Sequence, residues 1–353
     1  MDKVLTVIIP TYNMENYLHK CLDSLIIAEE LMSQLEVLVI NDGSKDRSSD
    51  IAHSYQDKYP DIFRVIDKEN GNYGSCVNRG LKEAKGKYIK ILDADDSFDN
   101  TCFESYLLFL SKLDVDMVVN DFVFVNENDE ITQVKRYSLG KIGKEFEFSK
   151  RIGRTFYRKN LHMHAVAYKT ENLRSHHYIQ TEGISYTDQE WTYTPLFFVR
   201  KIAYFNGLLY RYLLGRKGQT VSTEVFNKNV FQDETCVLRK LEDYIKQKAV
   251  SDGGGWFLEK WIKANVEKCY RRYLVSSQPS SYDRIIDLDK KFMSLDSSVK
   301  SMVESLCLPF TNYKYIKIWH KEKESLSGIL FTVSKYQSRI ITDWLRKLKL
   351  YNR

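Results

Sequence analysis

Tyr88-Ile89-Lys90-Ile91-Leu92-Asp93-Ala94-Asp95-Asp96 runs from an apolar stretch directly into three carboxylates within four residues. The stretch from Tyr88 to Leu92 reads as a short buried strand. Three like charges at one strand end repel one another unless something positive lies between them. A hard divalent cation such as Mg²⁺ or Mn²⁺ meets that need, because it prefers oxygen ligands and keeps positions for water and substrate phosphates. The competing reading is an acidic loop before a helix, with Asp99 and Thr101 as N-cap residues. The flanking sequence decides between the two.

Upstream, strands and helices alternate. Residues 5–9 form an apolar strand ended by Pro10, and residues 15–31 have helical spacing, with Tyr17, Cys21, Leu22, Leu25 and Ile26 on one side. Residues 36–40 are a second strand, ended by Asn41-Asp42-Gly43-Ser44. A helix over residues 48–58 and a strand over 63–66 follow. The loop 70–74 then leads into a helix over 75–84. Strand–helix alternation with apolar, β-branched strands predicts a mostly parallel, Rossmann-like α/β sheet covered on both faces. Ligands of such sheets bind beyond the carboxyl ends of the strands. Polar residues collect there: Pro10 to Asn13, Asp42, Asp67-Lys68 and the Asp cluster. One crevice results, suited to a nucleoside diphosphate bridged to the Asp cluster by metal.

Val7-Ile8-Ile9-Pro10-Thr11-Tyr12-Asn13, Asn41-Asp42-Gly43-Ser44-Lys45-Asp46 and Asp93-Ala94-Asp95-Asp96 resemble, in this order, the motifs of the family 2 glycosyltransferases. The resemblance covers residues 4–222. It implies the A-type glycosyltransferase fold and an inverting sugar transfer from a nucleotide-sugar donor. By the same resemblance, Pro10, Thr11 and Tyr12 flank the base, and Asp42 accepts a hydrogen bond from a base ring N–H. Lys68 helps to hold the base, Ala94 contacts the nucleotide, and Asp93 lies near the ribose or supports the metal contacts. Asp95 contacts nucleotide and metal, and Asp96 is the second ligand of Mn²⁺ or Mg²⁺. Uracil, thymine and guanine present a ring N–H where cytosine presents a lone pair, which disfavours a CMP-linked donor. For Asp42 the alternative of a plain Asx-turn residue stays open.

Further along, Gly74-Ser75-Cys76-Val77-Asn78-Arg79-Gly80 departs from the family pattern. The family's arginine before the asparagine is Val77 here, while Asn78 matches the asparagine that contacts donor sugar or phosphate. Gly71 and Gly74 do not make a P-loop, since no Gly-Lys-Ser/Thr follows at the needed spacing. In Glu182 to Trp191 the resemblance places the catalytic base at Asp188, with Thr187 in place of the usual Glu. Glu190 is the fallback base, because an extended segment would point both carboxylates to one side. Tyr210 to Ser222 resembles a closing basic loop. Arg216 is its phosphate contact, and Arg211 and Lys217 face solvent. His162 and His164 share one face of a strand. His164 is a candidate for metal or acceptor, against the reading of a core histidine.

Length and composition bound the rest. The chain has 353 residues and 43% apolar content. The resemblance assigns residues 1–225 to a catalytic domain, with a nucleotide half over about 1–120 and an acceptor half over about 121–225. Residues 226–353 form a mainly helical C-terminal region, broken at Ser251 to Gly255 by a loop. Six single cysteines without Cys-x-x-Cys indicate neither zinc nor a disulfide framework, which fits a reducing cytoplasm. The first strand begins at once, leaving no room for a signal peptide, and no apolar run is long enough to span a membrane. From Thr311 to Arg353, ten lysines or arginines stand against three acids. As a helix, residues 333–353 set Val333, Tyr336, Ile340, Ile341, Trp344 and Leu348 opposite Lys335, Arg339, Arg346 and Arg353. That pattern suits either a domain helix or an anchor on an anionic membrane. No nucleic-acid module accompanies these charges, and the aromatic-rich C-terminal region is a candidate homo-oligomer contact.

The expected activity is therefore metal-dependent, inverting transfer of a sugar from a UDP-linked donor. The acceptor is a hydroxyl of a glycan or lipid-linked molecule in cell-surface polysaccharide biosynthesis, at the cytoplasmic face. Two other classes stay open. A sugar-nucleotide nucleotidyltransferase would carry a glycine-rich N-terminal loop, where this chain has Pro10-Thr11-Tyr12-Asn13. A non-catalytic glycan- or lipid-binding partner would have no need of Asp42, Asp95, Asp96 and Asp188 together.

Overall fold

The computed structural model describes residues 3–140, 143–216, 230–274, 279–307 and 314–321. Lys217 to Ser222 and the stretch 333–353 lie outside them. The chain divides into two compact units, Met1–Cys236 with Gln247–Leu258, and Val237–Lys246 with Glu259–Arg353.

The first unit is built on a sheet that starts as the sequence predicts. Strands β1 (Leu5–Thr11), β2 (Leu35–Asn41), β3 (Phe63–Asp67) and β4 (Tyr88–Ile91) lie parallel in the order β3-β2-β1-β4. Every residue of β2 and of β4 is buried, as expected of central strands covered on both faces. The helices between them are α1 (Leu18–Asp23), α2 (Glu29–Met32), α3 (Ser48–Lys58) and α4 (Asn72–Glu83). α3 packs on β3 and α4 on β1. Fully burying each Leu, Ile or Val of these strands contributes about 1.5–3 kcal/mol.

Pro10 lies inside β1 rather than ending it. The carbonyl of Ile8 accepts from Leu92 N on the β4 side. Pro10, two residues on, turns its nitrogen to the same side, where β4 has already ended, so no ladder bond is lost.

The remaining strands make the sheet mixed. After β5 (Ser97–Phe98), α5 (Asn100–Ser111) is capped by the Asp99 carboxylate, which accepts from Cys102 N at 2.9 Å. Then come β6 (Met117–Val125), β7 (Ile131–Lys135), β8 (Glu145–Glu147), α6 (Lys150–Lys159), a 3₁₀ turn at Met163–Ala165, β9 (Val166–Lys169), α7 (Thr170–Ser175), α8 (Asp188–Tyr193) and β10 (Lys201–Leu213). The sheet continues β9-β6-β10-β5, with β7 on β6 and β8 on β10. β9 is antiparallel to both neighbours, while β6 and β10 are parallel and make the longest ladder. All nine residues of β6 are buried.

Three local expectations change. The helix over 15–31 is two short helices, because Ser24 ends α1: its hydroxyl donates to Cys21 O and accepts from Phe98 N, drawing the chain to β5. The helix after the Asn70 loop begins at Asn72, three residues early. The glycine run after Ser251 is not a loop. A helix over Asp252–Leu274 starts there, and its glycines serve close packing. A Cβ on Gly253 would lie 2.4 Å from Phe148 O, and one on Gly254 2.5 Å from Leu196 O.

That helix is α10, after α9 (Val230–Lys246); α11 (Pro279–Leu295), α12 (Ser297–Glu304) and α13 (Tyr315–Lys321) follow. Val266, Tyr270, Ile285, Phe292, Val299 and Trp319 are buried in the second unit. Tyr270 Oη donates to Asp289 Oδ1 at 2.6 Å, and His320 Nε2 lies 2.8 Å from the same oxygen. No described helix is long and apolar enough to cross a membrane.

Candidate active site

A cavity of about 520 Å³ opens at the carboxyl ends of β1, β2 and β4. Pro10, Thr11, Tyr12, Asp42, Asp93, Ala94, Asp95, His164, Asp188 and Arg216 all line it. Lys68, Asn78, Asp96 and Glu190 do not border it.

The β2 end is organised by Asn41. Its Oδ1 accepts from Ser44 N, three residues on, at 3.1 Å, so the Asn41 side chain rather than that of Asp42 braces this turn. Asp42 is buried, and its Oδ1 accepts from Lys68 Nζ at 2.5 Å and Gly71 N at 2.9 Å. Lys68 also donates to Glu69 O and Ser75 Oγ, which uses its three protons within the protein. Lys68, expected at the base, here braces Asp42. Tyr12 is 46% exposed and borders the same space, an accessible face for a base. The fourth polar strand end stays apart: Asp67 bonds Asn41, Ser49 and His53 and does not line the cavity.

At the β4 end the three carboxylates take different partners. Asp95 Oδ2 accepts from Arg216 Nε at 2.5 Å, and Arg216 also lies 5.4 Å from the Tyr17 ring centroid. Asp96 is buried, with Tyr210 Oη and Leu213 N each donating to it at 2.7 Å. Asp93 Oδ1 accepts from Tyr73 Oη at 2.7 Å. One ligand atom each from Asp93, Asp96 and His164 lies within 4.8 Å of the others. Asp93, Asp96 and His164 are thus close enough to share one cation, while Asp95, expected beside Asp96 as a ligand, pairs with Arg216.

This group fits a divalent cation. Burial, then the charge of Asp95, pushes the Asp93 carboxyl up to about 7, and burial with Asp95 and Asp93 pushes Asp96 up as well. Burial, then His162 and Lys90, pushes His164 far down, so its imidazole is neutral and offers a lone pair. His164 Nδ1 is buried without a hydrogen-bond partner. Two mutually repelling carboxylates and one unpaired neutral imidazole make an oxygen- and nitrogen-donor set.

Asp188 and Glu190 separate because their segment is helical rather than extended. Two residues along a helix turn the side chain by about 200°. Asp188, first residue of α8, borders the cavity, and its charge helps to raise the pKa of Tyr73 and of Asp93. Glu190 is buried and accepts from Thr181 N at 2.6 Å and Thr181 Oγ1 at 2.8 Å. Its carboxylate holds the loop that leads to Asp188.

Asn78 serves the same loop. Its Nδ2 donates to Gln180 O and Glu182 Oε1, and its Oδ1 accepts from Gln180 N, all at 2.8 Å. Asn78, expected at the donor, here braces residues 180–182. Val77 is fully buried, and Arg79 pairs with Glu83 away from the cavity. Arg211, expected in solvent, pairs with Asp129 at 3.0 Å.

Sequence reasoning missed Tyr73 and Tyr212. Tyr212 stacks on His164 with ring centroids 4.1 Å apart, and Tyr210 lies 4.7 Å from the same ring. The period of two in a strand, applied to Tyr210 and Tyr212, sets both rings on one face of β10. Tyr73 carried no such signal, because its loop reads as a turn until α4 is seen to begin at Asn72.

Residues 6–174 match the family model described as glycosyl transferase family 2. An uncharacterised glycosyltransferase of Mycoplasma genitalium is 31% identical over 245 residues, covering 68% of this chain and 78% of that protein. The chain belongs to glycosyltransferase family 2. The minor teichoic acid biosynthesis protein GgaB of Bacillus subtilis is 36% identical to this glycosyltransferase over 121 residues, 34% of this chain and 13% of that protein. The structure of TarS residues 1–349 from S. aureus in complex with UDP-GlcNAc shares the A-type glycosyltransferase fold, with a TM-score of 0.67. That match covers 95% of this chain and 91% of TarS 1–349, at 16% identity.

Proposed function

We propose that this glycosyltransferase moves a sugar from a UDP-linked donor to a hydroxyl of a glycan or lipid-linked acceptor in cell-surface polysaccharide biosynthesis, with inversion at the anomeric carbon. The observation that carries the reading is the meeting of Asp42, Asp93, Asp95 and Asp188 on one cavity, from three separate strand or helix ends. The UDP-GlcNAc complex of TarS and the teichoic acid relative support the donor and acceptor classes.

Asp42 accepts the ring N–H of uracil, while Lys68 and Gly71 N keep its carboxylate oriented. Tyr12 and Thr11 flank the base. Asp188 takes the proton of the acceptor hydroxyl as that oxygen forms its bond to the anomeric carbon. The bond to the diphosphate oxygen breaks on the opposite face and its electron pair leaves with UDP, which inverts the centre. Arg216, beside Asp95, is placed to turn to the diphosphate as negative charge grows there. A divalent cation held by Asp93, Asp96 and His164 would offset the remaining charge on the leaving group. The lysine- and arginine-rich stretch up to Arg353 supports an anionic membrane surface on the cytoplasmic side as the place where a lipid-linked acceptor is met.

Calorimetry with UDP, GDP and CDP in Mn²⁺ tests the donor. UDP should bind at least tenfold tighter than CDP, and Asp42→Ala should remove that preference. Equal affinity for UDP and CDP in the unaltered protein overturns the assignment of Asp42.

A further inference from the structure

Lys90 is fully buried in the middle of β4, where an ordinary strand would carry an apolar residue. Its Nζ donates to Asn120 Oδ1 at 2.8 Å, His164 O at 2.9 Å and Val166 O at 3.2 Å. Three oxygen acceptors around one tetrahedral nitrogen call for three N–H donors, the number an ammonium has and a neutral amine lacks. Burial pushes the pKa of Lys90 well below its ordinary value, and the three acceptors oppose that shift.

The place of these bonds in the sheet gives them meaning. The ladder between β4 and β9 stops at Ile89 and Tyr168. Before β9 the chain turns off into the 3₁₀ turn at Met163–Ala165, so the carbonyls of His164 and Val166 have no strand partner on this side. Lys90 supplies one to each. Asn120 on β6 holds the same turn, donating from Nδ2 to His164 O at 3.3 Å and to Asp121 O at 2.8 Å. Three residues beyond Lys90, the same strand delivers Asp93. One short piece of backbone therefore carries a carboxylate of the candidate cation group and also fixes the turn that carries its imidazole.

We propose that Lys90 is a positioning residue for the cation site, holding the Met163–Ala165 turn through the His164 carbonyl so that the His164 ring stays opposite Asp93 and Asp96. Asn120 is the second member of this support. The inference rests on Asp93, Asp96 and His164 being the cation-binding group. It implies a preference for Mn²⁺ over Mg²⁺, because an imidazole nitrogen suits a transition metal better than Mg²⁺. Partners behind metal ligands typically matter by about ten- to a hundredfold in metal affinity.

The test uses the full chain with Mn²⁺ and UDP. Electron spin echo modulation of bound Mn²⁺ reads a directly coordinated nitrogen, and competition with Mg²⁺ reads the preference. The unaltered protein should show the nitrogen signal, and His164→Ala should lose it. Lys90→Met, similar in volume but without a donor, should also lose the nitrogen signal and about tenfold of the Mn²⁺ preference while still binding UDP. If His164→Ala keeps the nitrogen signal, the cation group is misassigned. If His164→Ala loses it but a folded Lys90→Met keeps both signal and preference, the cation group stands and the role of Lys90 is overturned. Should Lys90→Met not fold, Asn120→Ala decides by the same readouts: a weakened nitrogen signal supports the proposal, and an unchanged one contradicts it.

Discussion

Asp188 and Glu190 differ in what surrounds them, and that decides what each substitution should do. Asp188→Asn should leave UDP binding intact and slow transfer by about a hundredfold or more, the usual scale for a positioned proton acceptor. Glu190→Gln should instead lower stability by roughly 1–3 kcal/mol, since it disturbs the two bonds from Thr181. Thermal melts and kcat for both variants check this; an Asp188→Asn protein at full rate removes Asp188 from the reaction. His162 gives a pH prediction. Burial, then Lys135, lowers its pKa from 6.5 to about 4. Between those values the unfolded chain holds the extra proton, so this contribution is complete above pH 6.5 and is lost as pH falls towards 4. Melting temperatures measured from pH 7 to 4 should fall more steeply for the unaltered protein than for His162→Phe, and parallel curves would contradict it. At this level the sequence brought Asp42, Asp93, Asp95 and Asp188 to one crevice but did not reveal their partners. Whether Asp95 meets a cation or Arg216 depends on a residue 121 positions away, which no local pattern encodes.

Among the elements, the parallel strands were the most legible, because β1, β2 and β4 are short apolar runs with polar ends and are buried on both faces. The helix breaks were not, since Ser24 leaves α1 for a partner on β5. Glycines were misread in one case for a simple reason: a run of them signals a loop locally, yet Gly253 and Gly254 open a helix because neighbouring backbones press against it. Gly74 shows the same physics at the site. A Cβ there would lie 1.9 Å from Thr181 O. Gly74→Ala should push residues 180–182 off α4, costing about 1–3 kcal/mol as an overpacked contact. Hydrogen exchange should then quicken in residues 178–190 while β1 and β2 keep their protection. Unchanged exchange in that loop would show that the contact does not hold it.

Across the catalytic unit, the strand–helix alternation and the polar strand ends led to a cavity that the sequence had located, while the mixed half of the sheet, from β5 to β10, was hidden because its pairings join distant residues. The basic stretch near Arg353 gives a prediction at this scale. Replacing Lys335, Arg339, Arg346 and Arg353 by Gln should reduce co-sedimentation with anionic vesicles, each such charge being worth about 1 kcal/mol near the surface; equal sedimentation would separate this stretch from membrane binding. The proposed reaction is inverting transfer from a UDP-linked donor in the cavity that holds Asp42 and Asp188. Proton NMR of the sugar first released when the enzyme, Mn²⁺ and an α-linked UDP-sugar are mixed, before mutarotation, tests it most directly. Free UDP with the β-anomer is the predicted result. The α-anomer, or UMP with a sugar phosphate, would contradict it.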